Sequence, residues 1–135
     1  MKITILDDYQ NAVKNLICFK LLKEQNVQIL NYTEKNVELL AEKLHDSNIL
    51  ILIRERTTID ENLLKLLPNL KLISQTGKIS NHLNLDDCTK YKVAVAEGIG
   101  SPTAPAELTW ALLMNTVRQI PLAIEELKNG HWQTN

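Results

Sequence analysis

Short runs of branched apolar residues recur along the first hundred positions, and segments with apolar residues at helical spacing separate them. Five runs have the length and composition of β-strands, namely residues 3–6, 27–32, 48–53, 70–74 and 93–96. The third run is apolar at every position from 49 to 53, which is typical of a central strand covered on both faces. The pattern therefore predicts five strands in one sheet.

The segments between these runs predict helices over residues 12–25, 37–44, 59–67 and 85–90. Thr33 or Asn36 is placed to cap the second helix. Asp60 is placed to cap the third helix, and Pro68 to end it. Since strands that alternate with helices imply right-handed crossovers, we predict an α/β fold with a mostly parallel five-stranded sheet and helices on both faces.

The pattern changes after Gly100. Pro105 suits the first position of a helix, which is expected to run to about Gln119, and a second helix over 122–129 is expected to end at Gly130. Apolar residues surround the first of these helices, and a helix that is apolar all round is typically buried. It therefore needs the sheet, another subunit or a further domain as its partner.

Composition narrows the function classes. The net charge of -1 and the pI near 6.3 argue against a general nucleic-acid binder and against a basic membrane-surface protein. No apolar run approaches the roughly 20 residues of a membrane span, and the N-terminus is acidic too soon for a signal peptide. Cys18 and Cys88 lack ligand or redox spacing, which predicts buried free thiols in a cytoplasmic protein.

Paired acids follow the first predicted strand, at an edge of the sheet where α/β proteins bind ligands. Asp7 and Asp8 match the Mg²⁺-binding acids of a phospho-receiver domain, but that domain also needs an aspartate where Arg54 stands and a lysine near Glu97. The competing interpretation is a solvated turn in which one carboxylate caps the next helix.

Two arginines follow the third predicted strand. Arg54 and Arg56 carry planar guanidinium groups, which bind both oxygens of a carboxylate or phosphate. The alternative is a local ion pair with Glu55, Asp60 or Glu61. Only Arg54 follows the strand directly, so it is the candidate binding residue of the two.

A glycine loop follows the fourth predicted strand. The sequence Thr76-Gly77-Lys78 lets backbone N–H groups approach a ligand and hold an anion without any charged side chain. The alternative is an ordinary turn in which Gly77 has a positive φ.

The sequence contains no dinucleotide-binding fingerprint. Gly98 and Gly100 lack the third glycine of that motif and run into Pro102 rather than into a helix, which predicts a hinge. No Ser-His-Asp order and no metal-spaced cluster is found either. His82, in an asparagine-rich stretch, is predicted to lie in a surface turn.

Taken in series, these segments resemble the D-isomer-specific 2-hydroxyacid dehydrogenases, a family that includes phosphoglycerate dehydrogenase-like enzymes. The most specific stretches are PNLKLI at 68–73 and AELTWAL at 106–112. Weaker matches stand in the same order at 5–10, 54–57, 76–77 and 118–132. The resemblance covers nearly the whole chain. It implies a flavodoxin-like substrate domain, with residues 1–100 as its N-terminal part.

The resemblance also implies that residues 101–135 form the crossover and the first helices of a truncated Rossmann domain. The substrate carboxylate would bind the backbone N–H groups of Thr76, Gly77 and Lys78, beside Arg54. The NAD-binding glycine motif and the catalytic Arg, Glu and His of the family would lie beyond this chain.

We therefore expect the substrate-binding part of an NAD- or NADP-dependent D-2-hydroxyacid dehydrogenase, inactive alone and without a cofactor of its own. Its ligand would be a small 2-keto or 2-hydroxy acid, and residues 105–129 would form a homodimer interface. The alternative is a non-catalytic, dimerising interaction module derived from such an enzyme.

Overall fold

A five-stranded sheet forms the frame of the first unit of the chain, Met1–Gly100. The computed structural model describes residues 1–132. Within them all sheet strands are parallel, and they are β1 (Lys2–Ile5), β2 (Asn26–Ile29), β3 (Ile49–Leu52), β4 (Leu72–Gln75) and β5 (Ala94–Glu97). Their order, β2-β1-β3-β4-β5, is that of flavodoxin-like sheets. The predicted five-stranded α/β fold is confirmed.

Strand β2 ends earlier than the predicted residue 32. The Leu30 N–H still donates to the Ile5 carbonyl oxygen at 2.9 Å, in continuation of the ladder. Asn31 then turns its side-chain amide to the carbonyl oxygen of Asp8, at 2.8 Å. The chain therefore leaves the sheet after Leu30, because a side-chain hydrogen bond to the neighbouring loop replaces the ladder.

Three short helices cover one face of the sheet: α1 (Val37–Leu44), α2 (Glu61–Leu64) and α3 (Leu85–Lys90). The predicted caps are present, since Asn36 Oδ1 accepts from the Leu39 N–H at 2.9 Å and Asp60 Oδ1 from the Leu63 N–H at 3.2 Å. Helix α2 is shorter than the predicted 59–67. The residues after it bond three positions back rather than four, in a tighter turn.

The hydrophobic core lies between these helices and the sheet. Leu44, Leu50, Ile59 and Ile73 stand at its centre with no exposed surface. They come from α1, β3, the segment before α2, and β4. Each element of this face therefore contributes to one core, which positions the carboxyl ends of the strands.

The other face is covered differently from the prediction of a helix over 12–25. That segment forms two 3₁₀ helices, Val13–Asn15 and Ile17–Leu22. The apolar side chains at 13, 16, 19 and 22 of this segment recur every three residues, which is the period of a 3₁₀ helix and not that of an α-helix. These side chains and those of the sheet line an apolar cavity of about 340 Å³.

The second unit begins at Ser101 and contains α4 (Thr103–Val117) and α5 (Ile120–Lys128). Helix α4 begins at Thr103, so Pro105 lies at its third position rather than at the predicted first. Proline is tolerated there, because the first four residues of a helix need no N–H for intrahelical hydrogen bonds. Gly130 has a φ of +80° just after α5, as expected of a terminating glycine. The predicted identity of 101–135 as the start of a nucleotide-binding domain stays a prediction, and its last three residues lie outside the described part.

Helix α4 has no buried residue, and its large apolar side chains are exposed.

Among residues 1–132, no helix is long and apolar enough to cross a membrane.

Lys92 offers a test of the local backbone. It follows α3 with a φ of +58°, in a turn where the Val93 N–H donates to the Cys88 carbonyl at 2.8 Å and the Lys92 N–H to Thr89. This is the helix-ending motif that prefers glycine. We expect Lys92→Gly to raise the free energy of unfolding by about 1 kcal/mol in urea denaturation, because glycine has no left-handed penalty. The control Lys92→Ala keeps that penalty, so an equal gain for alanine would contradict the explanation.

Candidate functional site

The ends of β3, β4 and β5 meet at one edge of the sheet. Leu52 pairs with Gln75, and Arg54 and Gly77 each lie two residues beyond that pair. The Gly98 N–H donates to the carbonyl oxygens of both Gln75 and Gly77, at 3.0 Å each. The loops after β4 and β5 are therefore tied to each other by main-chain bonds. The register of the strands brings the predicted site residues to the same edge.

The loop after β4 presents unused backbone donors. The Thr76 N–H donates to the Leu52 carbonyl at 3.0 Å, as a continuation of the sheet. The next two N–H groups, of Gly77 and Lys78, have no acceptor in the part of the chain that the structure describes. A Cβ added at Gly77 would meet nothing within 4 Å, and its φ is not positive, so the turn-glycine alternative is wrong. The space beside these donors is open.

The side chain of Lys78 is already paired. Its ammonium group forms an ion pair with Glu97 at the end of β5, and the other carboxylate oxygen of Glu97 accepts from the Ile79 N–H at 3.1 Å. The hydrogen bond from Lys78, and then that from Ile79, hold the pKa of Glu97 below its usual value. Lys78 therefore offers the site its backbone N–H and not a free positive charge.

Arg54 is the unpaired cation at this edge. Its side chain has no hydrogen-bond or ion-pair partner within residues 1–132, so the predicted alternative of a local ion pair is not formed. Glu61 pairs instead with Lys90. Arg54 also has a φ of +60°, a left-handed conformation that is unfavourable for an arginine and is typical of functional sites.

Gly98 is required by close packing of the main chain. A Cβ at this position would lie 2.8 Å from the carbonyl oxygen of Thr76. The glycine therefore lets β5 approach the loop after β4, and it is not placed to cradle a pyrophosphate. The residues after it lead to Pro102 and do not fit a dinucleotide-binding loop.

The acids after β1 are buried, which corrects the prediction of a solvated turn. The carboxylate of Asp7 accepts hydrogen bonds from the hydroxyls of Thr57, at 2.8 Å, and Thr33. Asp8 caps the segment after it, as predicted, by accepting from the N–H groups of Ala12 and Val13 at 3.0 and 3.1 Å. Both carboxylates have protein partners, and no acidic cluster in residues 1–132 could hold a metal ion. The receiver-domain alternative has no support.

Arg56 belongs to this buried acidic turn rather than to the open loop. Its guanidinium donates to the carbonyl oxygen of Asp7 at 2.5 Å and lies 4.3 Å above the ring of Tyr9. These contacts close the sheet edge between β1 and β3. Of the two arginines, Arg54 remains available to a ligand.

Two buried polar residues at the site were missed by sequence reasoning. Gln75, at the end of β4, is 2 % exposed, and His82, predicted as a surface residue, is 7 % exposed. The prediction for His82 is wrong because a bridge between Leu83 and Ile59 draws this segment into the core.

The prediction that both cysteines are buried is wrong for Cys18. Both cysteines are free, but Cys18 is exposed and only Cys88 is buried.

Comparison with known proteins agrees with this fold. The family model for the catalytic domain of D-isomer specific 2-hydroxyacid dehydrogenases matches residues 5–134. A phosphoglycerate oxidoreductase structure from Vibrio cholerae O395 is 54% identical, with a TM-score of 0.81, over 100% of this chain and 43% of that chain.

Curated relatives match as well. The glyoxylate reductase/hydroxypyruvate reductase of Mus musculus is 40% identical over 86 residues, which are 62% of this chain and 26% of that protein. The D-3-phosphoglycerate dehydrogenase of Bacillus subtilis is 29% identical over 76% of this chain and 20% of that protein. The chain thus spans about a fifth to a quarter of the length of these relatives.

Proposed function

The chain belongs to the D-isomer specific 2-hydroxyacid dehydrogenase family, and from this membership we propose that residues 1–100 bind the carboxylate of a 2-hydroxy or 2-keto acid. The activity served would be NAD- or NADP-dependent oxidation or reduction at the carbon that bears the hydroxyl. A small acid suits this site, because the space beside Gly77 is open and the N–H groups of Gly77 and Lys78 have no acceptor in the described chain.

One observation carries this proposal: the N–H groups of Gly77 and Lys78 are unpaired beside open space. Two adjacent N–H groups can donate to the two oxygens of one carboxylate. Arg54, which has no partner in the described chain, supplies the positive charge that an anion needs. The ion pair of Lys78 with Glu97 fixes the loop without taking up either donor.

Hydride transfer would require a nicotinamide cofactor. These 135 residues do not fit its binding, because the sequence lacks the glycine fingerprint that holds the dinucleotide. We propose that the chain contributes substrate binding and that it does not reduce 2-keto acids by itself with NADH. Turnover of such an acid by the isolated chain, measured by NADH absorbance, would contradict this part of the proposal.

Gly77→Ala tests the binding loop. A Cβ at Gly77 meets nothing in the protein, so the free energy of unfolding should change by less than about 0.5 kcal/mol. The added methyl group occupies the space that a carboxylate needs, so binding of oxalate, a planar analogue of 2-keto acids, should weaken by about tenfold. The measurement is the shift of the amide NMR signals of Gly77 and Lys78 during an oxalate titration.

Gly100→Ala is the matched control. Its Cβ would lie 3.7 Å from the Cγ of Lys78, an ordinary contact, and would meet no backbone atom of residues 77 and 78 within 4 Å. The control should bind oxalate as the unsubstituted chain does. Equal binding by the Gly77 and Gly100 variants, or no saturable oxalate binding by any chain, would contradict the proposed function.

We further propose that residues 105–129 associate with a second copy of the chain. The supporting observation is that α4 exposes Leu108, Trp110, Leu112 and Leu113, each by 49% or more. Exposed apolar side chains of this size and number favour association. A chain that forms dimers and binds no carboxylate would instead support the non-catalytic interaction module.

A further inference from the structure

A buried polar chain links the core to the backbone of Arg54. The side-chain amide of Gln75 donates to the carbonyl oxygen of Arg54 at 3.3 Å, and its Oε1 lies 3.2 Å from Nε2 of His82. Gln75 and His82 are 2 % and 7 % exposed. These two residues therefore connect the loop that follows β3 with the loop that follows β4.

The direction of these hydrogen bonds is fixed by the donors. Because Nε2 of Gln75 donates to Arg54, its Oε1 is the acceptor for His82, and the histidine carries a proton on Nε2. Nδ1 of His82 is then a buried atom without a partner in the described chain. A leucine would fill the same space without leaving a nitrogen unpaired. What histidine adds at this position is the hydrogen bond to Gln75.

The far end of the chain is rigid. The carbonyl oxygen of His82 accepts from the Ile59 N–H at 2.7 Å, and Leu83 pairs with Ile59 in a short parallel bridge. Ile59 has no exposed surface. The core thus holds the histidine in place, and Gln75 connects it by hydrogen bonds to the carbonyl oxygen of Arg54.

The near end is the strained residue. Arg54 has a φ of +60°, which an arginine adopts only where its surroundings impose it. Its carbonyl oxygen receives the hydrogen bond from Gln75, and its side chain leaves the sheet edge without a partner in residues 1–132. The backbone conformation of Arg54 therefore sets the direction in which its side chain leaves the main chain.

We propose that His82 and Gln75 are positioning residues, which hold Arg54 in its left-handed conformation and so direct its guanidinium toward a carboxylate on the 76–78 loop. This inference rests on the proposed function of that loop. The planar guanidinium binds both oxygens of a carboxylate only in a defined orientation, so its direction matters for affinity and not only its presence.

The test compares oxalate affinities of the 135-residue chain. His82→Leu removes the hydrogen bond to Gln75 and should weaken oxalate binding by about fivefold, the value of one ordinary hydrogen bond. His82→Gln keeps an amide donor at the position of Nε2 and should restore the affinity to within about twofold. Equal loss in both variants would overturn the proposal.

A double-substitution cycle separates positioning from general destabilisation. In an Arg54→Ala background the guanidinium is absent, so His82→Leu should cause no further loss of affinity. A merely structural role of His82 would weaken binding by the same factor in both backgrounds, and that result would overturn the proposal. Gln75→Met removes the same connection one step nearer to Arg54 and replaces His82→Leu if that variant does not fold.

A second readout needs no ligand. The backbone chemical shifts of Arg54 report its left-handed conformation, and they should move toward extended values in His82→Leu and Gln75→Met but not in His82→Gln. Unchanged shifts in the first two variants overturn the positioning role even if oxalate binds. If the unsubstituted chain binds no oxalate but these shifts move as expected, the proposed function fails and the connection from His82 to Arg54 stands.

Discussion

Replacing Asp7 with alanine is expected to lower the free energy of unfolding of residues 1–100 by about 3 kcal/mol. The Asp7 carboxylate is buried and accepts from the hydroxyl groups of Thr33 and Thr57. Its loss leaves the buried hydroxyl of Thr57 without that acceptor, which costs about 1–3 kcal/mol. The φ of Asp7 is +63°, and alanine tolerates this conformation less well than aspartate, by about 1 kcal/mol.

Asp7→Asn is the matched control for this prediction. Asparagine also adopts left-handed conformations, and its amide group can accept from one threonine hydroxyl and donate to the other. We therefore expect the free energy of unfolding of Asp7→Asn to fall by less than about 1 kcal/mol. Urea denaturation of both variants measures this difference. An equal large loss for alanine and asparagine would show that the negative charge of Asp7, rather than its hydrogen bonds, stabilises this turn.

The strands and the capped helices could be predicted because local sequence determines them. The apolar run of β3 and the capping side chains Asn36 and Asp60 act within a few residues of their own positions. The covering of the opposite face was mispredicted for a different reason. The segment predicted as one helix over 12–25 forms two 3₁₀ helices, because its apolar residues from Val13 to Leu22 recur every three positions, the period of a 3₁₀ helix.

At the candidate site, the positions that follow strands could be located from the sequence, because parallel strands bring their carboxyl ends to one edge. What these residues contact could not be predicted. Lys78 reaches Glu97 across 19 positions, and His82 is buried by a bridge to Ile59. Both contacts depend on the register of strands and loops that are distant in sequence. The resemblance to a family indicates that a loop binds a ligand, but it does not show which side chains hold the loop.

Leu112→Glu is expected to dissociate the proposed dimer, with a rise in the dimer dissociation constant of at least about 100-fold. Leu112 lies on α4 with 60% of its surface exposed, amid other apolar side chains of the same helix. Burying a leucine is worth about 1.5–3 kcal/mol, and a two-fold interface contains the substituted position twice. A carboxylate at this position must also lose its hydration if the interface forms, which adds to the effect.

Light scattering over a dilution series measures this change, with Ser101→Glu as the control. Ser101 is exposed and precedes α4, so the control adds the same charge outside residues 105–129 and near a helix N-terminus, where a carboxylate is favourable. The control should remain dimeric at concentrations where Leu112→Glu is monomeric. Equal dissociation of both variants would assign the effect to net charge and not to the apolar surface of α4. An unsubstituted chain that is monomeric at every concentration would contradict the proposed association through α4.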